Sequence, residues 1–315
     1  MAHGRWAYTK GLHDIGNGAF AYLQPDGSWG WSNAGLITSS GESMLVDTLF
    51  DLPLTRAMLD AMRPATALAP IRKLVNTHSN GDHCFGNELV TGAEIIASQA
   101  CADEMRGEGA ARLAAMMRAA PTMGAVGEYL TRIFGAFQFD GITGALPTRT
   151  FEDELEVTVG QKRVRLIQVG PAHTRGDVLV HVPADKTIFT GDILFIGGHP
   201  IIWAGPLANW IAACDRMLAL DVETIVPGHG PITDKAGVAA LKGYLEYIHR
   251  EARKRFDAGM PAAEAARDIA LDAYASWTDA ERIAVNVATL YHEFSPSAPR
   301  ANVNDLFAQM AAMSR

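Results

Sequence analysis

The segment Asn76-Thr77-His78-Ser79-Asn80-Gly81-Asp82-His83-Cys84 constrains this chain more than any other. It follows an apolar, strand-like run, Ile71 to Val75, and leads into a helix-like segment. A loop between a strand and a helix is a rigidly mounted place for reactive side chains. His78, Asp82 and His83 supply neutral imidazoles and a carboxylate, a donor set suited to Zn²⁺ or Fe²⁺. Three further runs end the same way. Val169-Gly170-Pro171-Ala172 leads to His173, Ile188-Phe189-Thr190-Gly191 to Asp192, and Ile225-Val226-Pro227-Gly228 to His229. Donors at successive strand ends converge when those strands lie side by side in one sheet, and a glycine beside each permits close backbone approach.

Composition narrows the class. In 315 residues, 48% are hydrophobic and 20% charged, which describes a folded globular chain able to bury a large core. A net charge of −8 argues against nucleic acid or an anionic membrane as the partner. Cys84, Cys101 and Cys214 are few and scattered, which fits a reducing compartment rather than a disulfide framework. The N-terminus lacks a signal-peptide pattern, and no run approaches the roughly 18 apolar residues of a membrane helix. The expected location is cytoplasmic.

Apolar alternation predicts a β-meander over 19–24, 33–38 and 43–46, then a helix over 53–62. Strands are expected at 71–75, 94–97, 151–159, 164–169, 178–182, 187–189 and 224–226, with a helix over 207–220. Between the early and late strands, Ser98 to Arg118 and Ala125 to Phe137 carry apolar residues at helical spacing. That insertion, 98–148, is expected to cap a site. Residues 1–234 then form a catalytic domain, and 235–315 a helical extension packed on it. In the extension, Thr278-Asp279-Ala280-Glu281 reads as a capping box ahead of the apolar stripe Ile283, Val287 and Leu290. Such stripes also suit a homodimer interface.

Taken together, His78, Asp82, His83, His173, Asp192 and His229 resemble the metal-ligand signature of the metallo-β-lactamase-fold hydrolase superfamily: His-x-His-x-Asp-His, then a His after a later strand, a bridging Asp and a final His. The resemblance spans 19–231. It implies an α/β fold, a four-layer αβ/βα sandwich with metals at the sheet edge. It also implies one ion held by the first, second and later histidines and another by Asp82, His83 and His229, with Asp192 shared. The departure is Asn80, which stands where the family has its second histidine. An amide oxygen is a poorer ligand than imidazole, so the set Asp82, His83, Asp192 and His229 is expected to bind Zn²⁺ more strongly than His78, Asn80 and His173.

The expected activity is metal-dependent hydrolysis, with metal-bound hydroxide attacking an ester, lactone or thioester carbonyl of a small apolar or aromatic substrate. Asp82 and Asp192 would orient the nucleophile or relay a proton. Two other readings share the pattern. His78, His173 and Asp192 form a two-His-one-carboxylate set of the kind that holds Fe²⁺ for oxygen chemistry, resembling persulfide dioxygenases. A cyclase or thioesterase-like factor of aromatic polyketide assembly is the other.

Trp29 and Trp31, one residue apart, point the same way if the segment is extended, as one wall of a pocket. Met123 and Phe134 belong to the capping insertion, and His199 and Trp203 to a loop past Asp192; each is a candidate substrate contact. Asp47 closes a strand and is placed to accept a hydrogen bond from the ligand loop. Cys84 reads as a small buried residue rather than a nucleophile. His3, His13, His181, His249 and His292 read as structural or exposed.

Overall fold

The computed structural model describes residues 6–107 and 109–314, so His3 lies outside the described residues. Hydrophobic alternation builds the first sheet. β1 (Gly11–Gly16), β2 (Ala19–Leu23), β3 (Ala34–Ser39) and β4 (Glu42–Val46) form an antiparallel meander. α1 (Leu52–Thr66) follows, with proline in its first turn and the Asp51 side chain accepting from Leu54 N at 2.8 Å. β5 (Ile71–Val75) and, beyond the single turn of α2 (Gly81–Cys84), β6 (Glu94–Ser98) add in parallel. α3 (Gln99–Met105), α4 (Gly109–Ala119) and α5 (Gly124–Phe134) intervene before β7 (Arg149–Phe151) completes the seven-stranded sheet.

The second sheet has five strands in the order β12-β11-β10-β9-β8. They are β8 (Glu154–Val159), β9 (Lys162–Gln168), β10 (Val178–Val182), β11 (Thr187–Phe189) and, after α6 (Leu207–Ala219), β12 (Thr224–Val226). The remaining chain is helical: α7 (Lys235–Asp257), α8 (Ala262–Asp268), α9 (Ile283–Phe294) and α10 (Val303–Met313).

The period of two along each strand sorts side chains between layers. Ile37, Met44, Val46 and Val75 meet Val164, Leu166, Val178 and Val180 between the two sheets. Their sequence neighbours Leu36, Leu45 and Leu74 face the other way, under Met58 and Met62 of α1. On the far side, Ile167, Leu179 and Ile188 pack against Trp210 of α6 and Leu241 and Tyr244 of α7. Each fully buried Leu, Ile or Val contributes about 1.5–3 kcal/mol of burial free energy, which fixes register, because a one-residue slip would reverse every strand. The result is the four-layer αβ/βα sandwich.

Three expectations change. The run 151–159 is two strands in different sheets, divided at Asp153, whose φ of 58° turns the chain from the first sheet into the second. The helix expected over 98–118 breaks after Met105, giving α3 and α4. The capping box does not form. Asp279 is left-handed, with φ 59°, and makes no side-chain cap, while Thr278 N donates to Gly197 O at 2.9 Å. The stripe Ile283, Val287 and Leu290 is buried within the chain. No helix among the described residues is long and apolar enough to cross a membrane.

A separate cluster covers one edge of the sandwich. Trp29, Phe50, Leu130, Phe134, Phe137, Leu306 and Met310 join α5 to α10 there.

Candidate metal centre

The ligand positions follow β5, β9, β11 and β12, so they come from both sheets and meet where the two face one another, not along one sheet. Asp192 lies among the imidazoles. Its Oδ1 is 3.0 Å from His83 Nε2, and its Oδ2 is 3.3 Å from His173 Nε2, 3.4 Å from His229 Nε2 and 3.7 Å from His78 Nε2. Asp82 Oδ2 is 3.3 Å from His229 Nε2 and 3.9 Å from His83 Nε2. Close approach depends on glycine. A Cβ on Gly228 would fall 2.0 Å from Asp192 Oδ1, and one on Gly191 (φ 49°) would fall 2.3 Å from Thr77 Oγ1.

The backs of the four rings decide their tautomers. His173 Nδ1 donates to Ile201 O at 2.6 Å, and His229 Nδ1 to Gly27 O at 2.9 Å. His83 Nδ1 donates to Asp47 Oδ2 at 2.9 Å. Thr77 Oγ1 gives its proton to Asp47 Oδ2 at 2.7 Å, so it accepts from His78 Nδ1 at 3.0 Å. Every Nδ1 therefore carries hydrogen outward, which leaves Nε2 as the nitrogen that faces Asp192 in each ring, free for a metal once any proton on it is displaced. His78 Nε2, His83 Nε2 and Asp192 Oδ1 are buried without a hydrogen-bond partner. Orphaned buried acceptors are costly alone and are satisfied by a cation. Two groups have mutually close donor atoms, His78–His83–Asp192 and Asp82–His83–His229. The residues fit a divalent metal.

Asp47 is the keystone of this arrangement. Left-handed at φ 62°, it accepts from Thr77 N as well, at 2.7 Å. Burial raises its carboxyl pKa, opposed by His83. Burial alone would lower the pKa of His83, but Asp192 and Asp82 outweigh it and hold it well above the usual imidazole value. The same opposition pushes His229 up to about 9. Burial holds His78 and His173 down. Burial works against ionised Asp82 and Asp192, yet the surrounding imidazoles keep both below the usual carboxylate range. With the imidazoles neutral, as a metal requires, the two carboxylates leave the site anionic, and that favours a cation.

Asn80 Nδ2 lies 3.0 Å from His173 Nε2. Above these groups opens a mainly apolar cavity of about 920 Å³, with Asp82, Asp192 and His229 in its lining. Trp29, Phe134 and Trp203 line it too. Trp31 does not. The chain turns at Ser28–Trp31 instead of extending, and the Trp31 ring packs on Phe137 with centroids 4.8 Å apart. Met123 is 41% exposed and lies outside the lining. His199 is buried away from the cavity against Tyr244 and Trp277, its Nε2 3.2 Å from Tyr274 O. His13, His181, His249 and His292 all lie away from the cluster; Cys84 is buried, and burial drives its thiol pKa upward.

Sequence reasoning did not single out several of the shaping residues. Phe50, Phe85, Phe195, Met116, Arg282 and Phe307 line the cavity. Asp177, raised by burial to about 8, accepts from Thr174 N and Oγ1 and braces the turn carrying His173. Asn33 Nδ2 donates to Pro227 O at 3.0 Å and Gly230 O at 2.8 Å, holding the His229 turn. A polar residue at an apolar strand end was the available signal for Asn33.

A family profile described as the metallo-beta-lactamase superfamily matches residues 27–229, a span that includes every ligand position above. The chain belongs to the metallo-beta-lactamase superfamily. Among similar proteins, the 2,4-dinitroanisole O-demethylase subunit alpha of Nocardioides sp. (strain JS1661) is 25% identical over 76% of this chain and 59% of its own length. Acyl-coenzyme A thioesterase MBLAC2 of Gallus gallus is 24% identical over 63% of this chain and 72% of its own. The solved structure of the stereoselective inverting sec-alkylsulfatase Pisa1 from Pseudomonas sp. superposes with a TM-score of 0.67 at 16% identity, covering 94% of this chain. This chain spans 52% of that protein's length. The superfamily relatives thus include hydrolases, and the shared fold extends over nearly the whole chain.

Proposed function

We propose that this chain is a metal-dependent hydrolase acting on an ester, lactone or thioester carbonyl of a small substrate with an apolar or aromatic body. The observation that carries the reading is the outward anchoring of each Nδ1, which leaves Nε2 donors and Asp192 Oδ1 facing inward under an apolar cavity. The resemblance to a thioesterase supports the choice of carbonyl substrate.

Zinc is the expected ion, with Asp82, His83, Asp192 and His229 as the stronger set, because Asn80 already engages His173 Nε2. When bound, the ion would supply Lewis acidity, acidifying water and polarising the oxygen of the scissile bond. The protein's residues do the rest. Asp82 lines the cavity beside His229 and is placed to accept a proton from the attacking water and fix its direction. Asp192 holds the imidazoles in register. Trp29, Phe134 and Phe195 exclude bulk water and strengthen the electrostatics of the floor.

The test combines metal analysis with a panel of esters, lactones and thioesters before and after chelation. Hydrolysis that vanishes with the metal and returns with zinc is expected. Hydrolysis unchanged after complete metal removal, or purified protein that holds iron and consumes oxygen without hydrolysis, overturns the reading.

A further inference from the structure

Arg282 is a buried charge on the cavity wall that the metal centre does not use. It is 2% exposed, lies just ahead of α9, and lines the same cavity as Asp82, Asp192 and His229. A guanidinium removed from water requires partners for its donors, or the desolvation cost is not recovered. Here the pairing is incomplete. Nη1 donates to His199 O at 2.9 Å, and Nη2 lies 3.3 Å from Asp279 Oδ2. Nε has no hydrogen-bond partner. Asp279 is shared, because its Oδ1 accepts from Ser28 Oγ at 2.6 Å. The neighbouring Glu281 is engaged elsewhere, accepting from Tyr129 OH at 3.0 Å.

The surroundings give this charge a fixed position. The guanidinium carbon sits 4.3 Å from the Trp29 ring centre and 5.6 Å from that of Phe195. Phe195 in turn stacks on His229, with centroids 5.1 Å apart and planes 1° from parallel. One aromatic ring therefore separates Arg282 from a metal ligand. The cavity has an anionic floor at Asp82 and Asp192 and a cationic point on an aromatic wall.

We propose that Arg282 is a substrate-binding residue that receives a carboxylate at the end of an apolar substrate remote from the scissile bond. This deepens the hydrolase reading and rests on it for the position of the reacting end. The buried Nε–H, left without a partner while Nη1 and Nη2 are engaged by His199 O and Asp279, is the donor this charge keeps for a carboxylate. The aromatic stack holds the head group in place, so little side-chain entropy is lost on binding. A purely structural Arg282, pinning the turn before α9 to the His199 loop, would not distinguish a charged ligand from a neutral one.

The test uses the metal-loaded full chain and a pair of p-nitrophenyl esters, one ending in a free carboxylate and the other in its methyl ester. The wild type should prefer the carboxylate by roughly tenfold or more, the scale of a hydrogen bond to a charged group. Arg282→Met should erase that preference by raising KM for the carboxylate ester far more than for the neutral one, and Arg282→Lys should restore part of it. An equal preference in wild type and Arg282→Met overturns the proposal. A second measurement covers failure of the variant to fold: tryptophan fluorescence of the wild-type, metal-stripped protein titrated with 4-phenylbutyrate and with 4-phenylbutyramide. Tighter binding of the carboxylate supports the site, and equal or absent binding of both overturns it. Carboxylate binding with no hydrolysis of either ester would sink the hydrolase reading and leave the anion site standing.

Discussion

Asn80 Nδ2 stands 3.0 Å from His173 Nε2, so the ring nitrogen that faces Asp192 is already engaged by an amide. A histidine at position 80 would offer a second imidazole where this chain offers an amide. Asn80→His is therefore expected to raise zinc stoichiometry toward two ions per chain, while Asn80→Ala leaves the wild-type value, closer to one, unchanged. Metal content after dialysis against limiting zinc checks this. Two tightly held ions in the wild type would count against it.

Asp47 serves both halves of the ligand loop through Thr77 and His83. Its loss frees the His83 ring and removes the acceptor that sets the Thr77–His78 relay. Asp47→Ala should weaken metal binding by about 10–100-fold. Competition with a chromophoric chelator measures the change.

The raised imidazoles set a pH signature in the metal-stripped protein. Asp192 and Asp82 hold His229 at about 9 against the opposing effect of burial, and they raise His83 in the same direction. An unfolded histidine titrates near 6.5 (about). The stability from these two groups is fully present below the unfolded value and is lost as pH rises through the folded one. His78 and His173 are lowered, so above that unfolded value they are neutral in both states and add no slope. Melting curves in chelator should show their contribution falling over roughly pH 6.5–9, and zinc should flatten that dependence by displacing the protons. A flat profile in chelator would contradict it.

Two residues of the segment 98–148 separate packing from surface. Phe134 is buried and stacks edge-on against Trp29 and Phe50. Phe134→Ala should cost about 3–5 kcal/mol and raise KM for apolar substrates. Met123, 41% exposed, should tolerate alanine within about 0.5 kcal/mol with unchanged kinetics. Denaturant unfolding and initial rates on the same preparations provide both readouts.

The strand ends were legible because each donor follows an apolar run with a glycine beside it, a local signal that survives without contacts. Strands such as β10 and β11 were legible for the same reason, since they are buried throughout and read as apolar runs, whereas the four-layer sandwich was implied by the resemblance of the ligand pattern to the superfamily. What lay beyond the sequence depended on distant partners. Thr278 and Asp279 obey a local capping rule, yet Thr278 is drawn to Gly197 and Asp279 to Ser28 and Arg282. His199 looked accessible beside glycines, but Tyr244 of α7 and Trp277 of the stretch between α8 and α9 bury it. Trp31 departed from its neighbour because a turn, invisible to strand periodicity, rotates it onto Phe137.

The donors all lie between His78 and His229, whereas Trp29, Phe134, Arg282 and Phe307 reach the cavity from outside that span or from an insertion within it. That part of the wall is carried by stretches other than the donors, whereas Phe85 and Phe195 sit beside His83 and Asp192. A lineage can therefore exchange that part, by mutation or by swapping terminal and inserted helices, while the four imidazoles keep their anchors. Innovation in what the protein accepts and conservatism in how it reacts can proceed at separate rates within one gene.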